Sequence, residues 1–257
     1  MLKKEIRIFF TALMFYTRIP CPKWVDHSEE YLSKATRYFP VIGWIVGAAT
    51  AFALYAFSFV LPISLALILS VAVGILLTGA FHEDGFADVC DGFGGGWTKQ
   101  KILDIMKDSR VGAYGVIGTI LLLSLKFFAL YEIARIDVVL CCKVLILAHT
   151  LSRFSGIILR KNLEYVREND NSKAKPIAKQ TSSKDYLIAF LFCLIPLFLF
   201  KTAMILLLFI PLLLIVLYLR SYYKKWIGGY TGDCLGAVQQ VAEVALYISF
   251  FILWKFI

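Results

Sequence analysis

The chain has 257 residues, of which 60% are hydrophobic and only 18% charged, and its mean hydropathy is +0.75. Soluble domains carry about 45–50% apolar residues, so this composition excludes a single soluble domain, a secreted module and a disordered chain. The formal net charge of +9 would raise the question of a nucleic-acid partner in a soluble protein, but here it must first be compared with the membrane topology.

The apolar residues are gathered into runs of roughly 20, the length at which a helix crosses about 30 Å of hydrocarbon. In chain order, residues 1–17 predict a retained amphipathic helix, and seven spans follow at 38–61, 63–81, 111–133, 136–159, 186–200, 202–219 and 235–256. Runs of this length exclude a β-barrel. We therefore predict an all-α, polytopic integral membrane protein with a single membrane-embedded domain over residues 1–257.

Lysine and arginine are distributed unevenly between the predicted loops. Residues 1–37, 82–110, 153–184 and 220–225 hold seven, four, eight and three of them, whereas the opposite side has only Arg135, Lys201 and Lys255. The positive-inside rule places the N-terminus and the basic loops on the cytoplasmic side of the cell (inner) membrane, and the C-terminus outside. The net charge is then explained by topology, and we expect no nucleic-acid partner.

The basic stretch at 160–184 is expected to be mostly a solvated loop facing anionic lipid. Its lysines and arginines are Arg160, Lys161, Arg167, Lys173, Lys175, Lys179 and Lys184.

The loop at 82–110 holds six of the 18 acidic residues. Four of them lie in the segment 82–92, HEDGFADVCDG, which contains no lysine or arginine. If the second span continues as a helix, Asp84, Asp88 and Asp91 share one face, where like charges repel. A divalent cation would neutralise them. Oxygen ligands without thiolates or clustered imidazoles favour Mg²⁺ or Mn²⁺ over zinc.

A glycine-rich break at 92–96 separates this segment from a short second helix. Thr98 is expected to cap that helix, with Ile102, Ile105 and Met106 on one side of it. Asp104 and Asp108, four residues apart, share another side. Ordinary solvated surface is the alternative for any single acid in the loop, but it does not explain why an otherwise basic chain has too few bases here to neutralise its acids.

The spacing Asp88-x-x-Asp91-Gly92, followed by Asp104-x-x-x-Asp108, resembles the aspartate signature of the membrane-embedded CDP-alcohol phosphotransferases. That resemblance implies two metal ions at the cytoplasmic membrane face. It is incomplete, because the Ala-Arg pair that follows the first glycine in that family is absent.

A closer resemblance covers nearly the whole chain. Five ordered motifs resemble those of the adenosylcobinamide-GDP ribazoletransferase (cobalamin synthase) family: TRIP at 17–20, FPVIG at 39–43, HEDGFADVCDG at 82–92, IMKDSRVG at 105–112 and GGYTGDCLG at 228–236. The resemblance implies that adenosylcobinamide-GDP and α-ribazole, or α-ribazole 5′-phosphate, are joined to give adenosylcobalamin, or its phosphate, and GMP.

For this chemistry we expect two Mg²⁺ ions, which Mn²⁺ can replace, on five carboxylates: Asp84, Asp88, Asp91, Asp104 and Asp108. By its match to the last aspartate of the CDP-alcohol signature, Asp108 is the expected general base, with Asp104 and Asp84 as alternatives. Arg110 is the expected phosphate clamp, because its forked side chain can bind two oxygens at once. A membrane-edge arginine is the alternative for Arg110.

The mouth of the last span is the second expected part of the site. Its backbone N–H groups could approach a phosphate, and Asp233 could reach a guanine edge or a metal. The residues assigned to substrate binding, with Ser109 of the preceding motif, are Gly228, Gly229, Thr231, Gly232, Asp233 and Ser109. A plain turn between helices is the alternative.

Seven further polar side chains lie in or beside apolar runs: Lys126, Lys143, His149, Arg153, Gln239, Gln240 and Glu243. Groups of this kind are functional or paired by default, and an interhelical hydrogen bond is the commoner outcome.

Two other functions fit a multi-pass chain with a carboxylate cluster: a phospholipid synthase related to the CDP-alcohol phosphotransferases, and a multi-pass metal or solute transporter. The missing Ala-Arg pair and the motif at 228–236 argue against the first. A transporter should place its acids near the bilayer midplane, whereas these lie in a loop on one side. The sequence leaves a monomer and a homo-oligomer open.

Overall fold

The computed structural model describes residues 2–25, 28–161, 163–167 and 181–256. These residues form eleven α-helices: α1 (Leu2–Tyr16), α2 (Glu29–Ala35), α3 (Phe39–Ser58), α4 (Ile63–Thr78), α5 (Phe81–Gly95), α6 (Lys99–Ile105), α7 (Ala113–Ile136), α8 (Val138–Arg160), α9 (Ser183–Leu194), α10 (Phe209–Ile227) and α11 (Gly232–Trp254). Three 3₁₀ helices cover Thr36–Tyr38, Ile195–Leu199 and Ala203–Leu208. The predicted all-α class is confirmed, and the helix predicted at the N-terminus is α1.

Five helical segments are long and apolar enough to cross a membrane: Glu29–Ser58, Ala113–Ile136, Val138–Arg160, Ala203–Ile227 and Gly232–Trp254. A sixth is obtained if α4 and α5, which meet at 89°, are counted as one broken span. The described part of the chain is therefore a multi-pass membrane protein with five or six such segments. The predicted count of seven is not confirmed.

A sharp turn separates α4 from α5. Gly79 and Ala80 have φ values of 69° and 58°, in the left-handed region, so the predicted second span ends at Thr78. The break predicted at 92–96 is also displaced, because α5 remains helical to Gly95. Its glycines instead let α6 pack closely, since a Cβ on Gly92 would lie 2.5 Å from Met106 Cγ.

The beginnings of α3, α5 and α11 meet at one end of the molecule. The Phe39 ring stacks on Tyr16, with centroids 4.2 Å apart, and on His82 at 5.8 Å. Gly236 lies against His82, because a Cβ on Gly236 would be 3.1 Å from the His82 carbonyl oxygen. We call this region, defined by Phe39, His82 and Gly236, the site end.

The fifth predicted run differs from the others. It forms α9, which has only 12 residues, followed by the 3₁₀ helix Ile195–Leu199. Asp185 at its start pairs with Arg37, just before α3, at 2.6 Å. Phe200 at its finish packs on Phe250, near the last turn of α11, with ring centroids 5.6 Å apart. This short segment therefore connects the site end with the opposite end.

Candidate active site

Helices α5 and α11 cross closely at the site end because each has a glycine there. A Cβ on Gly85 would lie only 3.0 Å from Asp233 Cα. Small residues of this kind allow two backbones to approach closely within a membrane protein. The crossing therefore brings the segment 82–92 against the segment 228–236, the two motifs expected to form one site.

Three carboxylates belong to this crossing. Asp84 and Asp88 flank Gly85 on α5, and Asp233 is the second residue of α11. Asp84 is exposed and Asp88 is half-buried. The charges that act on Asp88 are those of Asp233, Asp84, Arg167 and Asp91. We call Asp84, Asp88 and Asp233 the acidic group, and Arg167 is the base beside it.

Arg167 connects the acidic group to α6. Its terminal nitrogen Nη2 donates to Asp233 Oδ2 at 2.6 Å and to the Met106 carbonyl oxygen at 3.0 Å. The stretch 160–184 was expected to be mostly solvated, and two of its residues are exceptions: Arg167, and Arg160, which is 2% exposed. Packing against the acidic group and the helix ends explains both exceptions. Residues 168–180 lie outside the described residues.

Asp91 has both carboxylate oxygens engaged by backbone groups. The Gly112 N–H donates to Oδ2 at 2.7 Å, and the Gly115 N–H donates to Oδ1 at 2.8 Å. These amides belong to the start of α7, where the first N–H groups of a helix lack partners within the helix and the helix dipole favours an anion. Asp91 thus docks α5 onto α7. Its role as a metal ligand stays a prediction.

Helix α6 and the turn after it contain the other two predicted acids, Asp104 and Asp108. Ile102 and Met106 are buried as predicted, and Thr98 Oγ1 accepts from the Lys101 N–H as a cap. Asp104 is exposed and accepts a hydrogen bond from Gln100 at 2.9 Å.

Asp108 and Arg110, the predicted base and the predicted clamp, bind each other. Arg110 Nε and NH2 donate to the two Asp108 oxygens over 2.6–3.1 Å, and Ser109 lies exposed between the two residues. The Arg110 guanidinium lowers the pKa of Asp108 to about 2. A carboxylate with that pKa is a poor proton acceptor near neutral pH. The structure thus brings Asp84, Asp88 and Asp233 together, while Asp104 and Asp108 bond to their own neighbours.

The glycine-rich loop before α11 is a turn held by the segment 163–167. Gly228 has φ 78° and ends α10, and a Cβ on Gly229 would lie 2.1 Å from the Glu164 carbonyl oxygen. The Tyr230 N–H donates to that oxygen at 2.9 Å. Thr231 Oγ1 accepts from the Cys234 N–H and caps α11, which begins at Gly232. Phosphate binding by this loop stays a prediction.

A second polar cluster lies deep between the spans. Lys126, His149 and Glu243 occur midway along α7, α8 and α11, and all three are buried. Glu243 Oε1 is 3.0 Å from Lys126 Nζ and accepts from the Tyr247 hydroxyl at 3.1 Å. Glu243 Oε2 accepts from Gln239 Nε2 at 2.6 Å and is 3.1 Å from His149 Nδ1. The expected interhelical bonding is confirmed for these residues.

Gln240 links this mid-membrane cluster to α5. Lys126 Nζ donates to Gln240 Oε1, and Gln240 Nε2 donates to Glu83 Oε1, both at 2.9 Å. Glu83 immediately precedes Asp84, so the cluster fixes the backbone that carries the acidic group. The adjoining cavity measures about 20 Å³, which is room for about one water molecule and not for a solute.

The acidic group has the donor chemistry that Mg²⁺ and Mn²⁺ prefer, because all its ligating atoms are carboxylate oxygens. Three acids opposite one guanidinium also leave negative charge that a divalent cation would neutralise. Within the described residues, however, no three acidic, histidine or cysteine side chains already form a metal cage. The Asp233 carboxylate instead forms an ion pair with Arg167.

The chain is similar to a defined set of known proteins. The family model described as cobalamin-5-phosphate synthase matches residues 8–251. A relative from Leptospira interrogans named adenosylcobinamide-GDP ribazoletransferase is 42% identical over 99% of this chain and 98% of the relative. Relatives with the same name from Shewanella frigidimarina and Shewanella oneidensis are 42% and 43% identical, over 95% of this chain and 94% and 93% of their own length. No solved structure matches.

Proposed function

The chain belongs to the cobalamin-5-phosphate synthase family, and we propose that the crossing of α5 and α11 is the active site of its reaction. The enzyme joins adenosylcobinamide-GDP to α-ribazole to make cobalamin. The observation that carries the proposed site is the contact of Gly85 with Asp233, which brings the acids of two distant motifs together.

The transfer requires positioning and charge stabilisation more than covalent help from the protein. A hydroxyl of α-ribazole, or of its 5′-phosphate, attacks the phosphorus attached to the cobinamide; a new P–O bond forms, the diphosphate bond breaks and GMP leaves. Mg²⁺ or Mn²⁺ on the acidic group would stabilise the negative charge of the diphosphate and of the leaving GMP. Asp84 and Asp88 are one turn apart on α5 and present their oxygens from one rigid helix.

The turn that follows α6 supplies the proposed proton acceptor. The Met106 carbonyl accepts from the arginine that binds Asp233, so this turn begins beside the acidic group. The Arg110 side chain is 87% exposed and can turn from Asp108 to the diphosphate. Once Arg110 has moved, the pKa of Asp108 returns toward its ordinary range, and Asp108 can then accept the hydroxyl proton.

We place the site end on the cytoplasmic side of the cell membrane. Basic residues are concentrated in the segments 1–37, 82–110, 153–184 and 220–225 and are scarce in the other loops. The described parts of the basic segments adjoin the site end. A nucleotide-activated substrate made in the cytoplasm would then reach the acidic group without crossing the bilayer.

The direct test uses purified protein in detergent with adenosylcobinamide-GDP, α-ribazole and Mg²⁺, and measures GMP and the cobalamin product. We expect activity to be lost with a chelator and restored by Mg²⁺ or Mn²⁺. Asp88→Asn should lower the rate at least about 100-fold, because charge stabilisation of the transition state is lost.

Lys101→Ala is the matched control, since Lys101 is an exposed lysine on α6, outside the turn that follows it, and should leave the rate unchanged. Full activity of a metal-free preparation would exclude the metal. CMP release from a CDP-alcohol, without GMP release from adenosylcobinamide-GDP, would instead favour the phospholipid synthase.

A further inference from the structure

We propose that Arg167 is a diphosphate-binding residue of this site. In the substrate-free protein it pairs with Asp233, and on binding of the metal and the diphosphate it exchanges that carboxylate for phosphate oxygens. Asp233 is thereby released to join Asp84 and Asp88. The inference rests on the proposed function and assigns a role to a residue that the sequence motifs do not include.

The hydrogen bonds of Arg167 leave it capable of this exchange. One terminal nitrogen of the guanidinium, Nη2, donates both hydrogen bonds, to Asp233 and to the Met106 carbonyl oxygen. Its Nε is buried and has no hydrogen-bond partner among the described residues. A buried donor without a partner is unfavourable, and a phosphate oxygen would satisfy it. A guanidinium can present Nε and a terminal nitrogen to two oxygens of one phosphate.

The charges of the acidic group point to the same exchange. Arg167 is the positive charge that acts on Asp88, against the negative charges of Asp84, Asp91 and Asp233. In the substrate-free protein, Arg167 therefore offsets part of the negative charge that a divalent cation would otherwise neutralise. When a divalent cation binds with an anionic diphosphate, the cation neutralises the acids. The guanidinium is then available to neutralise the phosphate. The side chains of Arg167 and Asp233 are 17% and 18% exposed, so a ligand can reach them.

Only the side chain has to move. The Val166 N–H donates to the Tyr230 carbonyl oxygen at 3.0 Å, and the Tyr230 N–H donates to the Glu164 carbonyl oxygen at 2.9 Å. These bonds hold the backbone beside the mouth of α11. Arg167 follows directly, so its Cα stays in place while its long side chain can adopt another rotamer.

The test compares wild type, Arg167→Ala, Arg167→Lys, Asp233→Asn and the control Lys101→Ala. Mn²⁺ binding without substrate is measured from the electron paramagnetic resonance signal of free Mn²⁺, and adenosylcobinamide-GDP affinity is measured separately. Arg167→Ala should bind Mn²⁺ more tightly, because Asp233 is freed, yet bind adenosylcobinamide-GDP roughly 10- to 100-fold more weakly. Arg167→Lys should recover little of the substrate affinity, since an ammonium lacks the fork.

Asp233→Asn should weaken Mn²⁺ binding, so the two variants that break the same ion pair should change Mn²⁺ affinity in opposite directions. A purely structural ion pair would change both in the same direction. Unchanged substrate affinity in Arg167→Ala, or weaker Mn²⁺ binding in it, would overturn the proposal. Absence of cobalamin product with the wild type would count against the proposed function instead, while the Mn²⁺ comparison would still test the exchange.

Discussion

Two backbone amides of α7 hold the Asp91 carboxylate, and Asp91→Ala measures what this contact contributes. The two charge-assisted bonds are together worth roughly 3 kcal/mol, because the Gly115 amide loses its acceptor in a buried position and the Gly112 amide loses its acceptor in a part-buried one. We expect a clearly lower thermal unfolding midpoint in detergent. Asp104→Ala is the control, since its bond to Gln100 is exposed and should contribute less than about 0.5 kcal/mol.

An unchanged midpoint combined with lost Mn²⁺ binding would show that Asp91 is a metal ligand before it is a docking residue. The distinction could not be drawn from sequence, because an aspartate that ligates a metal and one that caps a helix carry the same letter and the same spacing. The acidic segment 82–92 was predictable from its lack of bases. Arg167 was not, because its charge was already explained by topology.

At the scale of helices, the crossing of α5 and α11 depends on the absence of a side chain at Gly85. Gly85→Ala places a Cβ 3.0 Å from Asp233 Cα, so the two helices must move apart by several tenths of an ångström. Because catalysis depends on the relative positions of the carboxylates, we expect kcat to fall at least about tenfold while the protein stays folded.

Gly95→Ala is the matched control on the same helix, because its Cβ would meet only the flexible Ile105 side chain at 3.4 Å. Equal activity of the two variants would mean that the crossing does not set the geometry of the site. The helical spacing of Asp84, Asp88 and Asp91 was predictable from sequence. The turn between α4 and α5 was not predictable. It requires a left-handed backbone at Ala80, and alanine rarely adopts that conformation.

The topology of the whole molecule can be tested by labelling single cysteines in a protein whose six native cysteines have been replaced. Cysteines at Thr98 and Lys224 should react only from the cytoplasmic side, because both lie at or near the site end with the basic loops. A cysteine at Arg135, at the far end of α7, should react only from outside. Labelling of position 98 from outside would reverse the orientation and remove the site from the cytoplasm.

The number of spans illustrates what hydropathy can predict. Long apolar runs such as α7 and α8 were predictable because lipid requires every backbone group to be satisfied within the helix. The segment 183–199 is apolar enough to be predicted as a span, yet its helix is short and ends in a 3₁₀ turn. Its course depends on contacts with Arg37 and Phe250, which lie far away in sequence.

The pairing of Lys126 with Glu243 also constrains how the protein is made. At roughly 5–20 residues per second, Lys126 is synthesised on the order of ten seconds before Glu243. The last helix, α11, supplies that carboxylate and also carries Asp233. Insertion of α11 therefore completes both the Lys126–Glu243 ion pair and the acidic group. A nascent or truncated chain that lacks this helix is incomplete at both places at once.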